Sequence, residues 1–268
     1  MALCFQSRPA LVAYVTCGDP DLGTTREIVL AALGSGADVV ELGVPFSDPV
    51  SDGPVIQRAC QRALQNGTRL RDVLALAGQV RKHSDGGLVV FSYLNPVLRF
   101  GLREFCDAAA AAGVDGALIT DLPVEEAGEY LRLMRARKLD TVFLAAPTST
   151  DERLRRIAEA SRGFVYAVAR TGVTGARKAV GADALGLVKR LRQFTELPIA
   201  LGFGISTAQQ VRAVGRFADA AVVGSAIVQA VERCNNPRRA PLAVAKLVAT
   251  LAAACRGTPA SARNPARE

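Results

Sequence analysis

Three carboxylates lie close together in a short, stiff stretch of the sequence, at Glu41, Asp48 and Asp52. An apolar run leads directly into Glu41, and prolines and glycines occupy much of the loop that follows it. A strand end can fix one acid while the loop brings a second acid to face it, which suits general acid–base chemistry. The alternative is a solvated acidic turn, because loops are ordinarily polar and exposed.

The amino-acid composition limits the kinds of catalytic site to which these acids could belong. The single histidine, His83, lies in a stretch typical of a charged helix end followed by a glycine stop. A histidine-based triad and a multi-histidine metal site are therefore excluded, and carboxylates, tyrosine, lysine or cysteine must move any protons. The scattered cysteines form no Cys-x-x-Cys pair and predict reduced thiols in the cytoplasm.

The net charge of +8 does not indicate nucleic-acid binding. The segment from Glu232 onward carries +5 of that charge, so the remaining body is near balance and no basic stripe is interleaved with aromatic residues. No apolar run approaches the roughly 18 residues of a membrane span, and the N-terminus lacks the pattern of a secretory signal. Residues 256–268 are polar and contain proline, which predicts a disordered basic tail after a single domain over residues 1–255.

Short apolar runs alternate with helical patterns along the chain. The runs that read as buried strands are Leu11–Val15, Asp38–Leu42, Leu88–Ser92, Gly116–Thr120, Thr141–Ala145, Phe164–Val168, Pro198–Leu201 and Ala220–Val223. The helical patterns include Thr24–Leu33, Leu102–Ala112, Glu125–Lys138, Asp151–Ala160, Thr207–Phe217 and Pro241–Ala254. The alternation predicts an α/β fold with a parallel sheet, since parallel pairing needs crossovers.

Eight strand–helix units in about 250 residues predict a (β/α)8 TIM barrel with eight parallel strands. An open doubly wound sheet is the alternative, which the lack of a Gly-x-Gly-x-x-Gly turn after the first strand disfavours. In a barrel, the loops that follow the strands all rise on one face, where barrel enzymes carry out their chemistry.

Glycine-rich loops follow the last strands. Gly202–Ser206 and Gly224–Ala226 come after predicted strands seven and eight, where barrels commonly bind phosphate with backbone N–H groups and a helix N-terminus. Two ordinary tight turns are the alternative. The long glycine-rich segment Arg170–Gly181 is typical of a mobile lid, although a plain surface loop would look similar. Tyr166, inside strand six, is by itself a core candidate, because aromatic residues favour strands.

The sequence resembles the tryptophan synthase alpha-subunit family in motifs that occur in family order between about Leu11 and Val231. The motifs are Thr16-Cys-Gly-Asp-Pro20, Glu41–Gln57, Asp121–Glu126, Arg170–Gly175, Gly202–Ser206 and Gly224–Val228. The family usually begins with a helix that covers the closed bottom of the barrel, whereas only about ten residues precede Leu11.

The resemblance implies a lyase that cleaves indole-3-glycerol phosphate to indole and glyceraldehyde 3-phosphate by a retro-aldol reaction. It also implies an α2β2 tetramer in which a beta subunit converts the indole to L-tryptophan. No cofactor or metal is expected in this chain, and pyridoxal phosphate is expected only in the beta subunit. The alternatives are a stand-alone lyase, a noncatalytic activator of a beta subunit, and another phosphate-binding barrel with a different substrate.

The resemblance also assigns roles to individual residues. The family's catalytic positions match Glu41, Asp52 and Tyr166. The positions that bind the substrate phosphate match Gly175, Gly204, Gly224 and Ser225, and the lid threonine matches Thr174. The indole-pocket positions match Tyr14, Phe91, Tyr93, Thr120 and Leu144. The intervening Pro45–Pro49 segment is interpreted as partner-facing, with Asp48 as a contact residue.

Overall fold

A computed structural model of the protein describes residues 3, 5, 9–168, 182–202 and 204–256. Within these residues, nine strands form one sheet in which every neighbouring pair is parallel. The strands are β1 (Ala10–Thr16), β2 (Val39–Gly43), β3 (Gly87–Ser92), β4 (Gly116–Ile119), β5 (Asp140–Val142), β6 (Leu144–Ala145), β7 (Val165–Val168), β8 (Ile199–Gly202) and β9 (Ala220–Val223).

The sheet closes into a barrel through the chain segment that contains β5 and β6. The strand order is β5-β4-β3-β2-β1-β9-β8-β7-β6, so the two terminal strands are consecutive pieces of one segment interrupted at Phe143. The carbonyl of Phe143 accepts a hydrogen bond of 3.0 Å from the amide of Tyr166. Counting β5 and β6 as one strand gives the eight predicted, which confirms the TIM barrel and excludes the open doubly wound sheet.

Helices connect the strands on the outside of the barrel. They are α1 (Leu22–Gly34), α2 (Pro54–Gln65), α3 (Leu70–Arg81), α4 (Leu94–Phe100), α5 (Leu102–Ala111), α6 (Gly128–Ala136), α7 (Asp151–Ala160), α8 (Ala182–Leu191), α9 (Ala208–Val214), α10 (Ser225–Glu232) and α11 (Ala240–Arg256). Short 3₁₀ turns occupy Val124–Glu126 and Pro237–Arg239. None of the helices that the structure describes has the length and apolar character needed to cross a membrane.

Local sequence signals explain several helix starts. The carboxylate of Asp21 accepts the amide of Thr24 at the start of α1, and the hydroxyl of Thr150 caps α7. Pro54 occupies the first turn of α2, where its missing N–H is not needed. The predicted helix Glu125–Lys138 is split, because a 3₁₀ turn ends before α6 begins. The last helix includes Arg256, and residues 257–268 of the predicted tail lie outside the described residues.

Two apolar layers surround the strands. The barrel interior is filled by side chains such as Val12, Val89, Leu118 and Phe164, while a larger cluster fills the space between strands and helices. At the bottom of the barrel, the ring of Phe5 contacts that of Phe164 with centroids 5.6 Å apart. The N-terminal residues that the structure describes therefore pack against the end of the barrel opposite the loops that follow the strands.

Aspartates at the beginnings of strands tie the bottom of the barrel together. The four are Asp38, Asp115, Asp140 and Asp219. Their carboxylates accept backbone N–H bonds of 2.7–2.8 Å from Leu11, Leu88, Leu3 and Ile199, respectively. A carboxylate removed from water is tolerated when it is hydrogen-bonded. Asp38, Asp115 and Asp219 therefore stabilise strand starts, and Asp140 holds Leu3 against the bottom of the barrel.

Replacing Asp115 should test how strongly this end supports the fold. Asp115 is 5% exposed and also receives Nη2 of Arg81, itself 16% exposed, at 2.7 Å. We expect Asp115→Ala to lower the free energy of unfolding by about 3 kcal/mol, because it leaves a largely buried guanidinium without its charged partner and the amide of Leu88 without its acceptor. Urea denaturation measures the change. As a control, Glu152→Ala breaks a pair in which both side chains are exposed, Arg156 by 54% and Glu152 by 71%, and an equal loss in this control would contradict the explanation.

Candidate active site

A cavity of about 700 Å³ lies at the end of the barrel where the strands finish. The predicted site residues that line it are Tyr14, Glu41, Asp52, Phe91, Thr120, Leu144, Tyr166, Gly204, Gly224 and Ser225. Thr174 and Gly175 lie outside the described residues. Tyr93 is not among the lining residues, although it touches one of them. Positions far apart in the sequence are therefore brought to one cavity, as strand ends in a barrel require.

Glu41 is a buried acid whose hydrogen-bonding capacity is not used by any described residue. Its side chain is on β2, is 0% exposed, and lines the cavity. Neither carboxylate oxygen has a hydrogen-bond partner among the described residues. Burial raises the pKa of Glu41 from its ordinary 4.5 to about 8, because the charged form loses its hydration. An acid of this kind can hold a proton at neutral pH and release it to a substrate.

Asp52 is held in the loop between β2 and α2 by contacts on both sides. The hydroxyl of Tyr93 donates to its Oδ2 at 3.0 Å and accepts the amide of Ser51 at 3.1 Å. The side chain of Gln57, in the first turn of α2, donates to the carbonyl of Asp52 at 2.9 Å. Burial raises the pKa of Asp52 to about 6, and the bond from Tyr93 opposes that rise. Tyr93 therefore positions the acid from behind the cavity wall.

The two acids are in different protonation states at neutral pH. With a pKa of about 8, Glu41 is mainly protonated at pH 7, whereas Asp52, at about 6, is mainly ionised. Environments that separate two carboxyl pKa values allow one group to act as an acid and the other to stabilise positive charge. The arrangement favours the functional interpretation of the acidic stretch over a solvated turn.

Two glycines make room for tyrosines at the mouth. A Cβ atom added to Gly43 on β2 would lie 2.3 Å from the hydroxyl of Tyr14, and one added to Gly202 on β8 would lie 2.2 Å from that of Tyr166. Both distances are too short for real atoms, so each glycine allows a tyrosine to lean over the neighbouring strand. Burial, and then the charges of Glu41 and Asp52, raise the pKa of Tyr166 well above its ordinary value. Tyr166 is thus a neutral phenol in the cavity.

Apolar side chains form much of the remaining wall. The rings of Tyr14 and Phe91 meet edge to face, with centroids 5.1 Å apart and an interplanar angle of 79°. Leu144, Val168 and Ile56 also line the cavity. Because edge-to-face rings and aliphatic groups pack well against a flat aromatic ring, this part of the cavity suits an aromatic substrate.

The other part of the cavity suits an anion. Gly224 is the N-cap of α10, Ser225 is its first residue, and Gly204 has a φ of +73°. The first amides of a helix have no acceptor within it, and the helix dipole adds partial positive charge there. The described residues that line the cavity include no lysine or arginine. We name Gly224, Ser225 and the start of α10 the phosphate cup, after the role that the family resemblance implies for them.

Sequence reasoning did not identify every residue at the site. Gln229 and Ser206 line the cavity but were not assigned a role, and the space-giving roles of Gly43 and Gly202 were not recognised. The sequence signal available for Gly43 and Gly202 was a glycine that directly follows an apolar strand run. Among the described residues, no group of three or more His, Cys, Asp or Glu side chains could hold a metal ion.

An exposed groove lies beside the cavity, between the loop after β2 and the helix α2. Its volume is about 870 Å³, and its walls include Phe46, Asp48, Pro49, Val50 and Leu64. Val50 is 85% exposed, which is unusual for a large apolar side chain. Exposed apolar side chains of this kind are typical of protein interaction surfaces, and the interpretation of Pro45–Pro49 as partner-facing stays a prediction.

Comparisons with known sequences agree with the motifs. A family profile described as "Tryptophan synthase alpha chain" matches residues 2–256. The tryptophan synthase alpha chain of Solibacter usitatus is 52% identical over 228 residues, which cover 85% of each chain. That of Neisseria meningitidis serogroup B is 47% identical over 248 residues, covering 92% of this chain and 94% of the relative.

Solved structures of similar sequence share the fold. A chain of the tryptophan synthase a2b2 complex from Pyrococcus furiosus has a TM-score of 0.85 and 40% identity, covering 91% of this chain and 98% of that chain. A chain of tryptophan synthase from M. tuberculosis has a TM-score of 0.84 and 38% identity, covering 93% and 94%. The family resemblance and the barrel predicted from the sequence are both confirmed.

Removing the charge of Glu41 should change how stability depends on pH. The folded protein keeps the proton of Glu41 up to about pH 8, whereas the ordinary pKa is 4.5, so the free energy of unfolding falls as pH rises through this window. Glu41 contributes up to about 1.4 kcal/mol to this fall per pH unit. We expect Glu41→Gln to become increasingly more stable than the wild type between pH 5 and pH 8, as measured by urea denaturation. A difference in the free energy of unfolding that stays constant between pH 5 and pH 8 would contradict the assignment. The same trend in the exposed control Glu129→Gln would also contradict it.

Removing the hydroxyl of Tyr93 should raise the pKa of Asp52. The hydroxyl bond favours the ionised carboxylate, so Tyr93→Phe should shift the titration from about 6 to higher pH. Carbon-13 NMR of the aspartate carboxyl groups follows the titration, and Asp52→Asn identifies the signal. An unchanged or lowered pKa in a folded Tyr93→Phe protein would rule out this role for Tyr93.

Proposed function

Since the chain belongs to the tryptophan synthase alpha chain family, we propose that its cavity cleaves indole-3-glycerol phosphate to indole and glyceraldehyde 3-phosphate. The observation that carries the proposal is that Glu41, buried and without a hydrogen-bond partner among the described residues, lines the same cavity as an ionised Asp52. A retro-aldol cleavage requires a proton donor, a base and a stabiliser of positive charge, and these two acids supply all three.

The first step protonates the indole ring. Glu41, mainly protonated at neutral pH, transfers its proton to the ring carbon that carries the glycerol chain. The ring becomes an indolenine-like cation with its positive charge shared by the N–H group. The carboxylate of Asp52 accepts the hydrogen bond from that N–H group, and its negative charge stabilises the cation where the charge develops.

The second step breaks the carbon–carbon bond. The carboxylate of Glu41, left by the first step, takes the proton of the glycerol hydroxyl next to the ring. That oxygen forms the aldehyde carbonyl, and the electrons of the breaking bond return to the ring and neutralise the cation. Indole and glyceraldehyde 3-phosphate leave, and Glu41 is protonated again for the next cycle. Tyr166, neutral beside the two acids, offers a hydroxyl donor during the transfer.

The remaining walls account for substrate binding. The edge-to-face pair of Tyr14 and Phe91 and the side chain of Leu144 receive the indole ring, with Thr120 at the rim. The phosphate cup, with Gly204 beside it, receives the phosphate through backbone amides. Thr174 and Gly175 remain assigned to the lid and the phosphate site by family resemblance.

We also propose a beta-subunit partner that takes the indole. The related Pyrococcus furiosus chain is described as part of a tryptophan synthase a2b2 complex. The exposed groove at Val50 and Leu64 supports a partner on the loop that carries Asp52, with Asp48 as a contact. The family resemblance assigns pyridoxal phosphate to the partner, and this chain uses no cofactor because its reaction needs proton transfers only. The free thiols at the described cysteines support a cytoplasmic location.

Release of indole from indole-3-glycerol phosphate tests the function. We expect slow release by the purified chain and faster release with a beta subunit, because docking beside Asp52 would order its loop. Indole is measured after extraction. Release of equal speed with and without the partner would identify a stand-alone lyase, and stimulation of the beta subunit without indole release would identify a noncatalytic activator.

The same assay with Glu41→Gln tests the proposed acid. We expect turnover to fall at least about a thousandfold, since one residue both donates and accepts the proton. Indole-3-glycerol phosphate should still raise the melting temperature of the variant, because the ring pocket and the phosphate cup are intact. Near-normal turnover would remove Glu41 from the mechanism.

A further inference from the structure

A network of ion pairs joins three segments on one side of the barrel, namely the loop after β1, the helix α2 and the helix α10. The carboxylate of Glu232 receives two bonds from Arg58, at 2.8 and 2.9 Å, and a third from Arg62 at 3.0 Å. Arg62 also makes two bonds of 2.8 Å to Asp19, which lies in the loop after β1 and is 4% exposed. Two-pronged contacts between guanidinium and carboxylate fix orientation as well as distance. We name these four residues the charge clamp.

The clamp connects the two helices whose beginnings form the site. Arg58 and Arg62 are one turn apart on α2, which begins two residues after Asp52. Glu232 is the last residue of α10, whose first residue, Ser225, belongs to the phosphate cup. Each helix thus has a residue of the candidate active site at or just before its N-terminus and a residue of the charge clamp further along. Each helix carries any movement at the clamp to the cavity, because an α-helix of this length is rigid.

Packing between the helices gives that movement a pivot. Ala59 on α2 and Val228 on α10 form a small buried cluster with the cavity residue Tyr14. The clamp holds one side of this cluster, and the phosphate cup lies on the other. At 1.5 Å per residue, Glu232 is about 10 Å along α10 from Ser225. A change of helix angle at the clamp therefore becomes a displacement at the cup.

We propose that Glu232 is a positioning residue, whose carboxylate fixes α2 against α10 and so sets the distance between Asp52 and the phosphate cup. The inference rests on the proposed function, because it concerns where the indole N–H group and the phosphate of one substrate are held. The substrate spans both points, and a displacement of about 1 Å in such a geometry can cost about a hundredfold in rate.

The electrostatics favour a geometric role over a role in overall stability. The two guanidinium groups lower the pKa of Glu232 to about 2, with the hydrogen bond from Arg58 as the largest cause, so the carboxylate is ionised throughout the working range of pH. The side chains of Arg58 and Glu232 are 50% and 24% exposed. Exposed pairs contribute little to the free energy of unfolding, whereas a three-bond contact between two helices restricts their relative orientation.

The test compares Glu232→Gln with the wild type in the isolated chain. We expect kcat for indole release to fall at least about tenfold, because Asp52 is misplaced in the transition state. The Kd of glyceraldehyde 3-phosphate, which needs only the cup, should stay within about threefold. Glu232→Ala should behave in the same way with a larger loss of kcat, since it removes all three bonds. A second expectation is that Arg58→Gln combined with Glu232→Gln loses no more than the worse single variant, because both act through one contact.

The control is Glu152→Gln, which breaks the 2.6 Å pair of Arg156 and Glu152 on α7, away from α2 and α10. The kcat of Glu152→Gln should equal that of the wild type. Its change in melting temperature should be similar to that of Glu232→Gln. Unchanged kcat in Glu232→Gln would overturn the proposal, and so would parallel losses of kcat, of product affinity and of melting temperature, which indicate a general structural defect. Absence of indole release from the wild type would instead overturn the proposed function, and the two failures are therefore distinguishable.

Discussion

The burial of one carboxylic acid without a partner is the constraint on which the rest of the structure depends. Glu41 is fully enclosed, and its oxygens have no hydrogen-bond partner among the described residues. A group in this position is tolerated only if the protein around it is rigid and keeps the group neutral. The parallel barrel provides that rigidity, because Glu41 lies on a central strand paired with β1 on one side and β3 on the other.

The two ends of the barrel treat the same functional group in opposite ways. At the beginnings of the strands, aspartates accept backbone amides, and two of them also pair with arginine. At the ends of the strands, the part of the chain that the structure describes offers Glu41 no hydrogen-bond partner and offers the carboxylate of Asp52 one tyrosine hydroxyl. An acid whose oxygens accept several hydrogen bonds is a structural element, whereas an acid with one hydrogen bond or none remains reactive. The fold therefore separates stability from chemistry along the barrel axis.

Much of this organisation could be predicted from the sequence, because strand patterning is local. Continuous apolar runs located all eight strands to within one residue at each end, and that placement put Glu41 at the mouth. The helices α2, α4, α8 and α10 were not predicted, since proline or glycine near their starts also suits loops, and of α3 only the charged end near His83 was recognised. The contacts of Tyr93 with Asp52 and of Glu232 with Arg58 and Arg62 could not be predicted at all. They join residues up to 174 positions apart, and no local pattern encodes which distant side chains meet.

The tyrosines that lean over glycines have a consequence for substrate range. Tyr14 reaches across Gly43, and Tyr166 reaches across Gly202, so each ring takes a volume that a methyl group would otherwise occupy. The width of the mouth is thus determined by two residues with no side chain to contact a ligand. Engineering for bulkier or smaller ring systems would have to treat each tyrosine and its glycine as a single unit. A search limited to ligand-contacting side chains would leave out half of the residues that determine which molecules fit.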